Sequence, residues 1–454
     1  MKNKIRLICI GIFLNLSLSS QPLVLEKVFN FSSNDALIDF IPTEDQGFVM
    51  IGSSSNNSFV MKLDLNGDLL WKNIIGTSGD YFTQIIQTQN SDLLITGQQS
   101  GDAVLLRLSN SGDSISSIYY HYMIYENSFI GIIELENEDL IIAERREQDG
   151  GNQPPRVFLM GLSSEGSFKW LQDIGDEDYP YSIILTENSN IVVTGLDDWW
   201  DGTKIWISSY DSLGNQLNEI IMDGLSGHQI IESSNGYLYA AVYGISSNGN
   251  YKAVKLDSDC VLEWKLNNYY NGYDWYFNTI CQLEPNRFAI GGSIQNILEI
   301  IIFNENGDSI SSFTFNDYIK QHAKRMFSNQ TSITVGANIK YSSNNNSILV
   351  FQLLIDSLYT SNNSSNLQSR KTNPFIFPNP AEKVINISDF QAIGEPTTVS
   401  IFSINGALKI LKQLEPESQL NINIELLTSG FYMAKITTKD KTAYCKFVVK
   451  GQSR

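Results

Sequence analysis

The chain has 454 residues, 42% of them hydrophobic, so its length allows two or three domains of roughly 150 residues with ordinary buried cores. Lys and Arg number 31 against 49 Asp and Glu, which leaves a formal net charge of −18. A surface this acidic repels phosphate backbones, so nucleic acid is excluded as a partner. The low charged fraction and the many Gly, Ser, Asn, Tyr and Phe residues favour an all-β fold.

The first 20 residues have the pattern of a secretory signal peptide. Positive charges near the N-terminus precede an apolar run, Leu7–Leu18, that is too short to span a bilayer as a stable helix. Small residues up to Ser20 suit a signal peptidase, and Cys9 lies inside the run without the small residues of a lipoprotein signal. No later apolar run reaches about 18 residues, so we expect no transmembrane segment in the mature chain.

Three cysteines remain after removal of the signal peptide: Cys260, Cys281 and Cys445. An odd number in an exported protein leaves at least one unpaired within the chain or paired between chains. Each is expected to pack as a small buried hydrophobic side chain, although spacing alone does not decide the pairing.

A repeat dominates the middle of the chain. The segment Phe59–Trp71 has six further counterparts, each with a turn position that is usually glycine, and these positions are 45 to 54 residues apart. The turn positions are Gly67, Gly112, Gly166, Gly214, Cys260, Gly307 and a position near Tyr359. Periods of this length indicate propellers or arrays of repeated sheets.

Each repeat contains four β-rich runs joined by polar turns. In the fourth repeat these runs are Ser182–Thr186, Ile191–Gly195, Ile205–Tyr210 and Gln216–Ile221. Four antiparallel strands repeated seven times predict a seven-bladed β-propeller over residues 21–360. The N-terminal residues 23–31 match an outer strand, so we expect them to complete the seventh blade and close the ring.

The recurring residues are those of strands, turns and blade junctions. Trp71, Trp170 and Trp264 recur at one position of the repeat and are expected to pack between neighbouring blades. The region 22–360 resembles secreted bacterial β-propellers, whose repeats read roughly as dGGyivaG followed by d-hhhKhd-tG-hhW. This resemblance implies the fold and carries no activity.

Residues 361–373 are polar and are predicted to be a flexible linker, and residues 374–454 form a second β-rich segment of alternating apolar and polar residues. Short strands separated by turn residues predict a small Ig-like β-sandwich. The segment also contains an ordered series of short motifs. The motif residues are Pro378, Asn379, Pro380, Gly406, Gly430, Tyr432, Lys446 and Lys450.

In this order the motifs resemble the type A C-terminal sorting domain of the type IX secretion system. The resemblance implies export to the surface of a Gram-negative bacterium or to the extracellular space. It also implies two partners, the outer-membrane translocon of that system and its sortase-like peptidase. Cleavage of the domain, with anchoring or release of the propeller, commonly follows in that family.

The loops after the second and fourth strands of each blade share one rim, where aromatic and acidic residues cluster. Exposed aromatic rings stack on sugars, and they also anchor protein interfaces. Packing at blade junctions is the alternative role. The candidate ligand-binding residues of this rim are Asp197, Asp198, Trp199, Trp200, Asp201, Tyr270, Tyr273 and Trp275.

Catalytic and metal-binding patterns are weak. His121, His228 and His322 lie in separate blades with no catalytic spacing. No cofactor is expected, although Ca²⁺ at Asp197, Asp198 and Asp201 is conceivable because three carboxylates lie within five residues. Asp64–Asp68 resembles a calcium loop superficially, and a turn explains it better.

The sequence therefore predicts a secreted propeller that binds a glycan or a surface protein without catalysis. One alternative is a polysaccharide hydrolase or lyase that uses rim acids at Asp176, Asp178, Asp197 or Asp201. The other is a structural scaffold of a surface complex. The fold accommodates all three.

Overall fold

The computed structural model describes residues 23–355 and 375–449, with gaps at 122–124, 149–154, 177, 200–201, 245–249, 269–274, 316–317, 330, 343–344, 378–382, 389–396, 404–407, 415–420 and 438–441. The chain divides into two compact units, Met1–Asn362 and Asn363–Arg454. In the described part of the chain, no helix is long and apolar enough to cross a membrane.

The first unit begins with strand β1 (Leu23–Phe29) and continues with four-stranded antiparallel sheets that follow one another in sequence. Blade 1 contains β2 (Asp35–Pro42), β3 (Phe48–Ser54), β4 (Asn57–Leu63) and β5 (Leu69–Gly76). Blade 2 contains β6 (Tyr81–Gln87), β7 (Leu93–Gln99), β8 (Asp102–Leu108) and β9 (Ser114–Tyr120). Blade 3 contains β10 (Tyr125–Glu134), β11 (Leu140–Gln148), β12 (Arg156–Leu162) and β13 (Phe168–Asp176).

The remaining blades repeat this order. Blade 4 contains β14 (Asp178–Leu185), β15 (Ile191–Trp199), β16 (Gly202–Tyr210) and β17 (Gln216–Asp223). Blade 5 contains β18 (Ser226–Glu232), β19 (Leu238–Gly244), β20 (Asn250–Leu256) and β21 (Leu262–Asn268). Blade 6 contains β22 (Trp275–Glu284), β23 (Arg287–Ile294), β24 (Ile297–Asn304) and β25 (Ser309–Phe315). Blade 7 contains β26 (Lys320–Ser328), β27 (Ser332–Ser342), β28 (Asn345–Leu354) and β1.

The seven sheets form a closed ring, which confirms the predicted seven-bladed propeller. The first strand of each blade contacts the first strands of both neighbouring blades, and β26 contacts β2. These seven first strands therefore surround the central axis. The N-terminal strand β1 pairs antiparallel with β28, with Val28 opposite Leu349, so the two ends of the repeat region meet in one blade.

The cores lie between blades, which explains why the middle strands are apolar at successive positions. In blade 1, Val49 and Ile51 pack in a cluster with residues of blade 2, whereas Met50 packs in a cluster with Ile348 and Val350 of blade 7. Successive side chains of a strand point to opposite faces. Because both faces of a blade are covered, both sets of side chains are buried.

Tryptophans of the outer strands pack against glycine turns of the following blade. A Cβ atom added to Gly112 would lie 3.0 Å from the ring of Trp71, and one added to Gly307 would lie 3.2 Å from the ring of Trp264. The indole nitrogen of Trp264 also donates to the carbonyl oxygen of Glu305 at 2.8 Å. The recurrence of Trp and Gly in the repeat thus reflects contacts between blades.

The second unit is a small two-sheet structure. One sheet contains β29 (Phe375–Phe377), β30 (Val384–Ser388) and β33 (Asn421–Asn423). The other contains β31 (Thr397–Ser403), β32 (Leu408–Leu414), β34 (Gly430–Thr437) and β35 (Thr442–Val449). Ile385 and Ile422 from the first sheet share a core with Val399, Ile401 and Ile436 from the second, as in a sandwich.

Candidate functional site

The first strand of each blade contains a β-bulge at an equivalent position, where one residue is skipped in the pairing with the second strand. In β18, for example, Gly227 pairs with Val242 and Gln229 pairs with Ala241, which leaves His228 without a partner residue. A bulge bends its strand and re-aims a side chain. The seven bulge residues are Ile38, Thr83, Ile130, Tyr181, His228, Asn278 and Lys324.

This ring of bulge residues differs between its two halves. Blades 1 to 3 contribute the small or aliphatic side chains of Ile38, Thr83 and Ile130, whereas blades 4 to 7 contribute aromatic, amide and basic side chains. Polar groups in such a position must find partners or contact water. The bulge residues of blades 4 to 7 are therefore those at the centre of the propeller that can form polar or stacking contacts with a ligand.

Aromatic and imidazole rings continue across this half from blade to blade. The ring centroids of Tyr181 and His228 are 5.4 Å apart, and those of His228 and Tyr276 are 4.7 Å apart. Tyr276 and His322 are stacked, with centroids 5.5 Å apart and ring planes inclined by 14°. We call Tyr181, His228, Tyr276, His322 and Lys324 the central arc.

Hydrogen bonds orient the imidazole of His228. Its Nε2 shares a hydrogen bond of 2.9 Å with the hydroxyl of Ser226, and its Nδ1 lies 3.4 Å from the hydroxyl of Tyr276. A neutral imidazole offers one donor and one acceptor to such partners. Both ring nitrogens of His228 therefore have partners, and these fix the imidazole in its orientation beside Tyr276.

Burial keeps the rings of the central arc neutral. It lowers the pKa of His228 to about 3, and the charge of Lys324 acts in the same direction. Burial also lowers the pKa of His322 to about 4 and raises the pKa of Tyr276 to about 12. The pKa of Lys324 is lowered by burial as well, and the negative charge of Asp39 opposes this shift.

Arg145, in β11 of blade 3, extends the site beyond the central arc. It is only 8% exposed, and its guanidinium carbon lies 3.8 Å from the ring centroid of Tyr179, in the geometry of a cation–π contact. The hydroxyl groups of Tyr81 and Tyr181 are close enough to act electrostatically on the guanidinium. Tyr179 and Tyr181 lie in the same strand, β14, so Arg145 lies near the Tyr181 end of the central arc.

In several blades the residue after the bulge forms a hydrogen bond or an ion pair with a neighbouring blade. The side chain of Gln84 accepts the backbone N–H of Ile132 at 2.7 Å, and that of Gln229 accepts the N–H of Ile280 at 3.0 Å. Where the ring closes, Asp39 forms an ion pair of 2.8 Å with Arg325. These links hold the bulges, and with them the central arc, in fixed positions.

The structure modifies the predicted rim. Segments expected to be loops are partly strand, because β11 extends to Gln148, β15 extends to Trp199 and pairs with Gly202, and β13 extends to Asp176. The hydrogen bonds between paired strands therefore continue into segments that the sequence predicts to be loops. Glu144, in β11, is fully buried and paired with Arg146.

The predicted rim residues have varied positions. Asp197 lies in β15 and is 8% exposed. Trp275 is 2% exposed, with its ring centroid 4.4 Å from that of Tyr243, so it takes the packing role that the sequence left open. The structure describes only the backbone of Asp198 and Trp199. Trp200, Asp201, Tyr270 and Tyr273 lie outside the described residues.

Other predicted features have simple structural roles. Cys260 and Cys281 are free and buried, whereas the side chain of Cys445 lies outside the described part. Asp64 caps a turn by accepting the backbone N–H groups of Asn66 and Asp68. Among the described residues there is no cluster of three or more His, Cys, Asp or Glu that could hold a metal ion.

Few of the sorting motif residues can be examined in the second unit. Tyr432 is 7% exposed, and its hydroxyl donates to the carbonyl oxygen of Thr428 at 2.8 Å. Gly430 begins β34, and the backbone of Lys446 lies in β35 opposite Met433. The residues outside the described part are Pro378, Asn379, Pro380, Gly406 and Lys450.

Sequence patterns do not predict the central arc. His228 and His322 belong to separate blades in the sequence, whereas the structure places them on either side of Tyr276. A signal does exist: when the repeats are aligned on their inner strands, the bulge position changes from Ile or Thr to Tyr, His, Asn and Lys. The bulge itself is not visible in the sequence.

Comparison with known proteins identifies the second unit. Residues 375–450 match the family described as secretion system C-terminal sorting domain. Together with the fold, this match defines the class of protein: an all-β propeller that carries a sorting domain of the type IX secretion system. Proteins with this domain are secreted to the cell surface or the extracellular space, and this chain is one of them.

Solved structures share the propeller fold at low sequence identity. An ulvan lyase of a new polysaccharide lyase family, bound to a saccharide of GlcA and Rha3S, is 11% identical with a TM-score of 0.52, covering 75% of this chain and 100% of the lyase. Drosophila Plexin A in complex with Semaphorin 1b is 8% identical with a TM-score of 0.48, covering 74% and 88%. A Hadza microbial sialidase is 10% identical with a TM-score of 0.42, covering 68% and 74%. Among curated proteins, no sequence matches this chain.

Proposed function

We propose that the propeller is a carbohydrate-binding module of a secreted protein and that it binds sugar at the central arc. The observation that carries this proposal is the continuous contact from Tyr181 through His228 and Tyr276 to His322. Aromatic rings stack on the apolar faces of sugars, while hydroxyl and imidazole groups exchange hydrogen bonds with sugar hydroxyls. Tyr181 is 47% exposed, so its ring is accessible to a ligand.

The neutral state of the imidazoles supports this proposal. At neutral pH, groups with a pKa of about 3 and about 4 carry no charge, and a neutral imidazole such as that of His322 offers a donor and an acceptor nitrogen to sugar hydroxyls. Partial enclosure within the ring of inner strands also removes competing water, which strengthens hydrogen bonds to a ligand. The site thus combines stacking with uncharged polar groups.

A glycan array with the full secreted chain tests this proposal. We expect binding to at least one glycan, and a loss of about tenfold or more in affinity for Tyr181→Ala and for His228→Ala, because each change removes a direct contact worth about 1.4 kcal/mol or more. Tyr119→Ala is the matched control, since Tyr119 is 51% exposed on the outer strand of blade 2. An array without any bound glycan, or equal losses in the control, would contradict the proposal.

The predicted rim supplies a second test of where sugar binds. If Trp199 and Trp200 form the binding surface, the double change Trp199→Ala, Trp200→Ala removes binding while Tyr181→Ala does not. We expect the opposite result, because the contacts of the central arc are continuous, whereas Trp199 pairs with Gly202 at the end of two strands of blade 4.

A catalytic role is the second candidate, favoured by one observation. The hydroxyl of Tyr276 lies 3.4 Å from Nδ1 of the uncharged His228, so a phenol and an imidazole, two groups that serve as general acids and bases in enzymes, are adjacent. Assays for new reducing ends, and for absorbance of unsaturated products, on any polymer bound in the array would detect hydrolase or lyase activity. A bound polymer that stays intact leaves the site as a binding site.

A further inference from the structure

We propose that this site selects sugars that carry an anionic group, a carboxylate or a sulfate, and that Arg145 binds that group. The inference rests on the proposed carbohydrate-binding function and specifies its ligand class. It starts from two nitrogens of the Arg145 guanidinium, Nε and Nη2, which are buried without a hydrogen-bond partner among the described residues.

An unsatisfied guanidinium is costly to bury. Leaving a buried donor unpaired costs about 1–3 kcal/mol, and more for a charged group. Arg145 forms one ion pair, from Nη1 to the half-exposed Glu147, so the Nε and Nη2 donors stay available. A guanidinium has a planar set of donors that matches two oxygens of a carboxylate or sulfate. An anion is the ligand that these donors fit.

The surroundings of Arg145 favour a sugar as the carrier of that anion. Tyr179 packs against one face of the guanidinium, and Tyr81 and Tyr181 lie within electrostatic range. Tyr81 is 42% exposed and Tyr181 is 47% exposed. Phenol rings beside a cation supply the stacking surfaces and hydroxyl groups that a sugar ring needs, with the cation placed for an acidic substituent.

The other end of the central arc is also basic. The charge of Lys324 lowers the pKa of both His228 and His322. The acidic group that acts on Lys324 itself is Asp39. Asp39 is engaged in an ion pair with Arg325, so its charge is largely compensated. In a chain with a net charge of −18, the bulge of β26 thus places a basic side chain, Lys324, at the end of the central arc opposite Arg145. A polymer with several acidic sugars that binds along the central arc would lie close to Arg145 at one end of the arc and to Lys324 at the other.

Binding of matched oligosaccharides to the full secreted chain tests the inference. The probes are an oligogalacturonate, its fully methyl-esterified form, a sulfated galactan oligosaccharide and a neutral galactan oligosaccharide of the same length, measured by calorimetry. We expect the acidic oligosaccharides to bind about tenfold or more tightly than the neutral and esterified ones. The esterified probe removes the charge from the ligand, so this comparison needs no altered protein. Galacturonate and sulfated probes distinguish a carboxylate from a sulfate.

Variants then assign the anion to Arg145. Arg145→Gln should reduce affinity for the acidic oligosaccharide about tenfold and leave affinity for the neutral one unchanged, while Arg145→Lys should lose less because it keeps the charge. Arg156→Gln is the control, since Arg156 is half-exposed and paired with Asp173 on the outer strand of blade 3. Equal affinity for acidic and neutral sugars would overturn the anion selectivity and leave sugar binding intact. No binding of any sugar, or binding of acidic peptides alone, would overturn both proposals.

Discussion

At the scale of single residues, the centre of the propeller shows how position changes the properties of ordinary side chains. His121 is exposed, whereas His228 is surrounded by Tyr181, Tyr276 and Ser226. Partial enclosure in a ring of strands removes much of the water that would stabilise an imidazolium, and Lys324 adds electrostatic repulsion. The same residue type is therefore a surface group in one blade and an uncharged hydrogen-bonding group in another.

The lowered pKa of His228 predicts a loss of stability in mild acid. Below about pH 6.5 the unfolded chain takes up a proton at this position, whereas the folded protein stays neutral until about pH 3. The free energy of unfolding should therefore fall as pH decreases from 6.5 to 5, by up to about 1.4 kcal/mol per pH unit from this residue. Thermal unfolding at pH 7, 6 and 5 measures the effect.

His228→Gln should flatten this pH dependence, since Gln fits a similar hydrogen-bonding site and does not titrate. His121→Gln is the matched change at an exposed imidazole. Comparison of variants with the wild type at each pH removes the contribution of the carboxyl groups. Equal slopes for the wild type and His228→Gln would show that His228 does not bind protons differently in the folded and unfolded states.

At the scale of elements, the inner-strand bulge explains a recurring glycine. The bulge brings a carbonyl oxygen of the first strand close to the second strand, so a Cβ added to Gly195 would lie 2.0 Å from the oxygen of Tyr179. Gly97 and Gly292 face Tyr81 and Tyr276 in the same way, at 2.3 Å and 2.1 Å. The glycine that ends the second strand in the sequence repeat is thus needed for close approach of the backbones.

Two adjacent glycines of blade 6 test this explanation. Gly292→Ala should lower the free energy of unfolding by about 1–3 kcal/mol, because the added carbon collides with the backbone oxygen of Tyr276. Gly291→Ala should have a smaller effect, since the nearest atom to its added carbon is a Thr279 methyl group at 3.1 Å. Urea unfolding of both variants provides the comparison. Equal losses would mean that the bulge does not restrict this position.

At the scale of the whole molecule, the two units have separate cores and separate tasks. The propeller closes on itself through the pairing of β1 with β28, which removes the exposed edges that an open array would present. The second unit has its own core around Ile385, Val399 and Ile436. Export information is therefore carried by a unit whose folding does not depend on what the propeller binds.

Removal of residues 375–450 should leave the propeller inside the cell envelope, because the matched sorting domain is the part recognised for delivery. Detection of the truncated chain in periplasmic and surface fractions measures this. Tyr432→Ala, which removes a buried ring and its hydrogen bond to Thr428, should reduce delivery in the full-length chain. Unchanged surface delivery of the truncated chain would contradict the sorting role.

The sequence by itself determined the repeat, the number of blades, the turn glycines and the sorting domain. Each of these depends on short-range patterns, such as alternation along a strand or a Gly in a tight turn, that are written in consecutive residues. The same patterns identified Trp71 and Trp264 as junction residues, which the structure bears out.

Which side chains meet at the centre of the propeller depends on tertiary structure. His228, Tyr276 and His322 are separated by 46 to 48 residues in sequence, and the packing of consecutive blades around the axis brings them side by side. The bulges that aim Tyr181, His228 and Lys324 depend on pairing between strands, which no local pattern encodes. Trp275 shows the converse. The aromatic and acidic residues around it predicted an exposed rim, whereas packing between blades buries its side chain.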